Sequence, residues 1–230
     1  MFTYRRVKND KELEEVYRLR YQVYCTECGF EDPKDHPSGL EKDDFDEFAV
    51  HFVAVDHAEN IIGTVRLVNN SELGFPVEKF CNIDFDTTRI PRDGLGEISR
   101  LAISKTYRRR AGDGVYGASS GTPGLKADKN EMVDRRRKSP AIVLGLLKAL
   151  YRESKWMGTV NWYAAMERPL HILLRRYGFI FNPIGKEVHY HGHRTPYIAR
   201  IGTIESEIAK RRPELFQLFT DWNRSPSFDI

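Results

Sequence analysis

Residues 94–104, Gly-Leu-Gly-Glu-Ile-Ser-Arg-Leu-Ala-Ile-Ser, constrain this chain more than any other stretch. Ile98, Leu101, Ala102 and Ile103 mark a short strand that belongs in a core, yet Glu97 and Arg100 are set inside it. A buried strand excludes charge, because an ion taken out of water is destabilising unless it is paired and hydrogen-bonded. Glu97 and Arg100 therefore either satisfy one another or face a cleft where chemistry occurs. Strict alternation puts them on opposite faces of the strand, so a shared pocket requires a β-bulge or a splay between them.

The rest of the chain can bury such a strand: its 230 residues are 40% hydrophobic and 12% aromatic. One domain over 1–230 is expected, with an insertion at 106–137. No apolar run reaches the roughly 20 residues that span a bilayer, and Met1-Phe-Thr-Tyr-Arg-Arg has no signal-peptide apolar region. A cytoplasmic location is the expectation. Cys25, Cys28 and Cys81 fit reduced structural thiols, and with no second cysteine pair to complete a zinc site no metal is expected. Residues 105–138 hold ten Lys/Arg against four Asp/Glu, whereas the whole chain carries only +3. An acidic partner should dock near this segment.

Residues 2–7 read as a strand, followed by a helix capped by Asn9 or Asp10 and running to about Tyr24. Arg20 and Tyr24 share that helix's apolar face with Leu13, Val16 and Tyr17; Arg20 either snorkels or serves a pocket. Residues 28–45 form a polar loop of lid or binding-loop length, ending in Glu41-Lys-Asp-Asp-Phe-Asp-Glu47. Residues 51–55 and 61–68 make a hairpin, with Arg66 inside the second strand, and 76–80 one helical turn. The Gly-rich 106–137 cannot order itself and is expected to be mobile. A helix then starts at Ser139-Pro140 and runs to about Trp156. Strand 159–166, helix 168–176, strands 179–184, 187–190 and 196–201, and a helix over 204–219 broken at Pro213 complete a mixed α/β order. His189, His191 and His193 alternate along the expected strand and would present three imidazoles on one face.

In order along the chain, Arg20, Tyr24, Phe30, Asp43, Asp46, Arg66, Phe80 and Glu97-Ile-Ser-Arg100 resemble the acyl-homoserine-lactone (autoinducer) synthase family, a branch of the GNAT N-acyltransferase superfamily. Tyr24 and Phe30 stand where those synthases carry Phe and Trp. In the second half, Arg135-Arg-Arg, Trp162-Tyr-Ala-Ala-Met-Glu-Arg-Pro-Leu and Tyr190-His-Gly-His-Arg-Thr-Pro-Tyr197 resemble acyltransferases associated with PEP-CTERM/exosortase systems, which are similar to N-acyl amino acid synthases. The resemblance implies a GNAT-like fold: a central mixed, mostly antiparallel twisted sheet with helices on both faces, splayed between the strands of 97–104 and 160–163 at the acyl-thioester site. It implies transfer of a fatty acyl group from an acyl carrier protein or coenzyme A thioester to the amine of a small molecule such as an amino acid, with no tightly bound cofactor. Two alternatives stay open: an acyl-homoserine-lactone synthase using S-adenosylmethionine, and a non-enzymatic basic binding module.

Within that resemblance Glu97 and Arg100 are the catalytic pair, Glu97 removing the proton of the attacking amine. Arg20, Arg66 and Arg100 with Asp43 and Asp46, together with Tyr24, Phe30 and Ser99, form the amine site, or else the charged residues form a structural ion-pair network. Trp162, Tyr163 and Met166 line the acyl slot, or pack as ordinary core. Arg108, Arg109, Arg110, Arg135, Arg136, Arg137 and Lys138 suit the acidic surface of acyl carrier protein. Nucleic acid is not expected, because Tyr107 and Tyr116 alone interleave the charge. Arg109-Arg-Ala-Gly112-Asp-Gly114 matches a pyrophosphate loop by letters but does not run into a helix, which favours the carrier protein over coenzyme A.

Overall fold

Asn9 opens the first helix of the chain. In a computed structural model, which describes residues 2–107 and 129–222 and only the backbone of 129–139, the strand β1 (Thr3–Arg6) leads to helix α1 (Asp10–Tyr21). The Asn9 side chain accepts a hydrogen bond from the Glu12 amide at 3.0 Å, and Asp10 and Glu12 sit in the first turn, where the helix dipole favours acids. The helix then loosens into a π-helical segment, Gln22–Glu27, closed by the Cys28 amide on the Val23 carbonyl at 3.0 Å. This wider turn carries Tyr24.

Strands β2 (Ala49–Val55) and β3 (Ile61–Asn69) form the predicted hairpin, helix α2 (Pro76–Phe80) follows, and β4 (Leu95–Ile103) pairs antiparallel with β3. Helix α3 (Lys129–Trp156) carries the chain over the sheet to β5 (Asn161–Met166), which lies parallel to β4. Helix α4 (Arg168–Arg176), the short strands β6 (Asn182–Pro183) and β7 (Val188–His189), and β8 (His193–Arg200) come next. The sheet order is β1-β2-β3-β4-β5-β8-β6, with β7 also on β8, and every described pairing except β4–β5 is antiparallel. Helices α5 (Ile201–Arg211) and α6 (Pro213–Thr220) end the described chain. No helix among the described residues is long and apolar enough to cross a membrane.

Alternation along β2 decides which helix covers which face. Phe52 and Ala54 pack with Ile142 and Leu146 of α3, whereas Val53 and Val55 pack with Val16 of α1. The sheet is thus covered on both faces, as expected. Several boundaries differ from the sequence reading. The helix expected at Ser139-Pro140 begins at Lys129 and holds Pro140 inside it; proline removes one backbone hydrogen bond without having to end a helix. The expected mobile insertion at 106–137 overlaps that helix from 129 onward, and its residues 108–128 lie outside the described residues. The strand read over 179–184 pairs only at Asn182–Pro183, and Ile201 opens α5 rather than ending a strand.

Gly145 of α3 lies against the Tyr4 ring, where an added Cβ would come within 2.2 Å of Cζ. Tyr4 is buried and its hydroxyl donates to the Ala141 carbonyl at 3.2 Å, so the ring cannot swing clear. Alanine ordinarily stabilises a helix interior by ~0.5–1 kcal/mol over glycine, but overpacking costs about 1–3 kcal/mol and reverses the sign here. Gly145→Ala is expected to lower the urea midpoint; a raised midpoint would show that the Tyr4 contact gives way.

Candidate active site

Arg20 on α1, Arg66 on β3 and Arg100 on β4 converge on three carboxylates from the stretch between α1 and β2. Asp43 and Asp46 are fixed first by local chemistry: Asp43 caps the 3-10 turn Asp44–Phe48, and the Asp46 carboxylate accepts the Asp43 amide at 2.8 Å. Arg20 then holds Asp46 with both terminal nitrogens (2.7 and 3.0 Å), and Arg66 shares the same carboxylate at 2.7 Å. Arg66 also grips Asp43 (2.6 and 3.2 Å), Asp43 accepts from Arg100 at 2.9 Å, and Glu41 joins Arg100 (3.0 Å) back to Arg20. The six side chains close a ring in which each guanidinium bridges two carboxylates.

Arg20, Arg66, Glu41 and Asp46 are buried, and Asp43, a quarter exposed, brings the ring to the wall of a cleft. Burial opposes ionisation of Glu41, but Arg20 and Arg100 outweigh it and hold the carboxyl down to about 2. Asp46 and Asp43 are likewise lowered against burial, Asp46 by Arg20 and Arg66 and Asp43 by Arg66 and Arg100. Buried His51, whose ring meets Tyr17 edge-on, is pushed down to about 4 by burial and stays neutral behind the ring.

The bulge that a shared pocket requires is present. Arg66 pairs with Ser99 and Thr64 with Ala102, so Arg100 and Leu101 together oppose Val65 alone. Arg100 takes a left-handed φ of 49°, unusual for a residue with a side chain. The Tyr24 hydroxyl, presented by the π-helical turn, donates to the Leu101 carbonyl at 3.0 Å. Its neighbour strand departs at the same place: β4 and β5 pair from Leu95↔Asn161 to Glu97↔Tyr163 and no further. Beyond Glu97 the two facing edges splay.

Glu97 is 1% exposed, and its Oε2 accepts the Val77 amide of α2 at 2.8 Å. Burial pushes its carboxyl up to about 8; the Val77 amide and then Arg66 and Arg100 pull the other way and lose. Glu97, Ser99 and Arg100 all line an inner cavity, with Tyr24 and with Ala165 of β5. An outer cleft lies beside it, lined by Asp43, Lys79 and Phe80 among others.

The expected residues separate into groups. Glu97, Ser99, Arg100 and Tyr24 meet at the inner cavity, and Phe30 stands near it, its ring centre 6.4 Å from that of Tyr24. Arg20, Arg66 and Asp46 line neither cavity; they stand behind the wall as the ring. The acyl-slot trio is split, because neighbours on a strand face opposite ways. Trp162, which donates to Ser154 at 2.9 Å, packs with Met166 in one core cluster, and Tyr163 packs with Phe75 and Val68 in the other. The three histidines do not share a face either: His189 and His193 pair across the β7–β8 hairpin, and His191 sits at its tip, with Nδ1 2.9 Å from Glu31. Arg108, Arg109 and Arg110 lie outside the described residues, as do the side chains of Arg135, Arg136, Arg137 and Lys138. The sequence reading did not single out Glu31, Ala165, Tyr190 or Arg194, which line the inner cavity, nor Glu41, which closes the ring. Glu41 stood in the acidic run and Tyr190 in the Tyr-His-Gly-His motif, but no spacing rule points from them to Glu97.

Glu31, His36 and Glu41 bring ligand-type atoms within 4.8 Å of one another, but Glu41 gives its oxygens to two guanidiniums and is ill suited to a metal. Cys25 and Cys81 are free, and burial raises both thiols to about 11, away from the reactive thiolate.

Two stability effects follow. Arg20→Met leaves Glu41 and Asp46 short of a partner in the interior, and is expected to cost about 3–5 kcal/mol by urea denaturation; a loss under 1 kcal/mol, the typical surface value, would mean the ring is not a buried unit. Glu97 keeps its proton to about 8 when folded and releases it near 4.5 when unfolded. Its contribution is therefore full below 4.5 and falls as pH rises through 8. In Glu97→Gln that fall, on the order of a few kcal/mol, should vanish from urea midpoints measured between those limits. Parallel curves for the two proteins would refute the raised carboxyl.

Residues 19–116 match the acetyltransferase (GNAT) domain family. The chain is 26% identical to the L-ornithine N(alpha)-acyltransferase of Rhodobacter capsulatus over 113 residues, 45% of this chain and 44% of that protein. It is 30% identical to the acyl-homoserine-lactone synthase of Aeromonas salmonicida over 102 residues, 44% of this chain and 48% of that one. The chain spans about half the length of these relatives in the aligned regions. Among solved structures, TofI in complex with an inhibitor and MTA superimposes with a TM-score of 0.61 at 15% identity, covering 94% of this chain and 99% of its own. The coenzyme A-dependent acyl-homoserine lactone synthase BjaI gives 0.59 at 18% identity over 92% and 89%. FeeM, an N-acyl amino acid synthase from uncultured soil microbes, gives 0.57 at 15% over 90% and 94%. The chain therefore shares its fold with solved acyl-homoserine-lactone and N-acyl amino acid synthases, and its residues 19–116 resemble the GNAT acetyltransferase domain.

Proposed function

We propose that this chain is an acyltransferase that moves a fatty acyl group from a thioester to the primary amine of a small molecule, with an amino acid as acceptor. The observation that carries this reading is the position of Glu97: a buried, proton-holding carboxyl on the last β4 residue paired with β5, facing a cavity with Arg100. Beyond that pair the strand edges part, and their backbone N–H groups can meet a thioester carbonyl in the gap. Such donors stabilise the oxyanion that forms as the amine nitrogen attacks the carbonyl carbon. Glu97, in its carboxylate form, takes the proton the amine gives up; the C–N bond forms, the C–S bond breaks, and the departing thiolate takes that proton back from Glu97 to leave as the thiol. A base near pH 8 is well matched to an amine at neutral pH.

In this reading the acyl chain runs along one face of β5, bounded either by Trp162 and Met166 or by Tyr163. The donor is acyl carrier protein, docked by Arg108 to Arg110 and Arg135 to Lys138, with a coenzyme A thioester as the competing donor. The reaction takes place in the cytoplasm, consistent with free thiols. The ornithine acyltransferase among the similar proteins supports an amino-acid acceptor. The Aeromonas synthase supports a second reading, in which S-adenosylmethionine is the amine.

The test is mass spectrometry of lipid extracts from cells expressing the chain or its Glu97→Gln variant, followed by turnover with the purified proteins. The expected product is an N-acyl amino acid, and the variant should lose roughly 10²–10⁴ in rate, the usual share of a general base. A folded variant with near-full turnover would sink the role of Glu97. Consumption of S-adenosylmethionine with formation of a lactone would decide for the second reading.

A further inference from the structure

The β7–β8 hairpin reaches the site from the strand beside β5. Its tip bends through two consecutive left-handed residues, His191 (φ 50°) and Gly192 (φ 93°), and the Tyr190 amide bonds to the Gly192 carbonyl at 2.8 Å. A side chain forced into that region costs free energy, so the bend persists only because its contacts hold it. Three of those contacts reach the site. The Tyr190 ring stacks on Phe80 with centroids 4.4 Å apart and planes 14° from parallel, its phenol interacts with the Arg100 guanidinium, and His191 pairs with Glu31 at 2.9 Å. Glu31, Arg100, Tyr190 and His191 line both cavities, and are therefore the partition between the outer cleft and the inner cavity that holds Glu97.

We infer that Tyr190 is a specificity-determining residue, the part of this partition that limits the size of the amine able to reach Glu97. The inference rests on the acyl-transfer reading for its substrate class, a free amino acid, but not for its geometry. Arg100 and Glu31 cannot yield, because each is held in ion pairs. Tyr190 is a large member of the partition, held by stacking on Phe80, itself 41% exposed, and by its phenol against Arg100. Removing its ring joins the two spaces, whereas phenylalanine in its place keeps the stack and the wall.

The experiment measures binding of glycine, leucine and tryptophan to the purified full chain by calorimetry, in wild type, Tyr190→Ala and Tyr190→Phe. Wild type should prefer the smaller acids, and Tyr190→Ala should raise the affinity for tryptophan relative to glycine by about tenfold or more, the scale on which pockets discriminate size. Tyr190→Phe should keep the wild-type order. An unchanged order in a Tyr190→Ala protein with native circular dichroism, the same broadening in Tyr190→Phe, or no binding by wild type would each overturn the inference. If Tyr190→Ala does not fold, Phe80→Ala removes the exposed half of the stack and should shift the order in the same direction; an unshifted order there refutes the assignment. Acyl transfer assayed on the same proteins separates the two readings. Altered binding without acylated product from any of them overturns the acyl-transfer reading alone, and acylated product with an unaltered order overturns the partition alone.

Discussion

The closed ring of Arg20, Asp46, Arg66, Asp43, Arg100 and Glu41 is the interaction on which the rest of this site depends. Each member serves two others, so none can be withdrawn without leaving two buried groups short of a partner. The ring ties α1, β3 and β4 to the polar stretch that precedes β2, a stretch with too few apolar side chains to order itself by burial. It is ordered because its carboxylates are the required counter-charges of three guanidiniums that the helix and strands have already placed.

The same ring sets the electrostatics of Glu97. Arg66 and Arg100 lie near enough to lower its pKa, yet burial prevails and the carboxyl rises. The reason is balance: three guanidiniums are spent on three carboxylates, which leaves little net positive field for a fourth acid. Desolvation then governs, and a side chain that would be a plain carboxylate on the surface holds its proton up to about 8. The left-handed Arg100 serves both ends of this arrangement. It turns its own side chain to the face of Glu97 and Ser99, and it frees the Leu101 carbonyl for the Tyr24 hydroxyl.

Much of this was legible from residue types and spacing. A carboxylate and a guanidinium three apart in an apolar strand demanded a bulge or splay, and both are present at Arg100 and after Glu97. Arginines at 20, 66 and 100 and acids at 43 and 46 read as one constellation, and they do converge. The alternative between substrate site and ion network, which spacing left open, divides by residue: Arg20 and Arg66 are network, while Arg100 is network and cavity wall together. The splitting of Trp162 from Tyr163 was legible too, since adjacent strand residues face opposite ways. The histidines were misplaced because alternation holds within a strand and fails across a turn, and nothing in Tyr190-His-Gly-His193 marks the turn except one glycine.

The sequence by itself determined the order of strands and helices, the faces of α1 and β2, and the presence of charge that a core strand must satisfy. Those follow from local periodicity and from the free energy of burying an ion. Only the tertiary structure decided that Glu41 closes the ring, that β4 and β5 part after Glu97, and that a hairpin tip from the far end of the chain divides the cavity in front of it. These are contacts between residues far apart in sequence. Their partners are chosen by sheet register and loop closure, which no local pattern encodes.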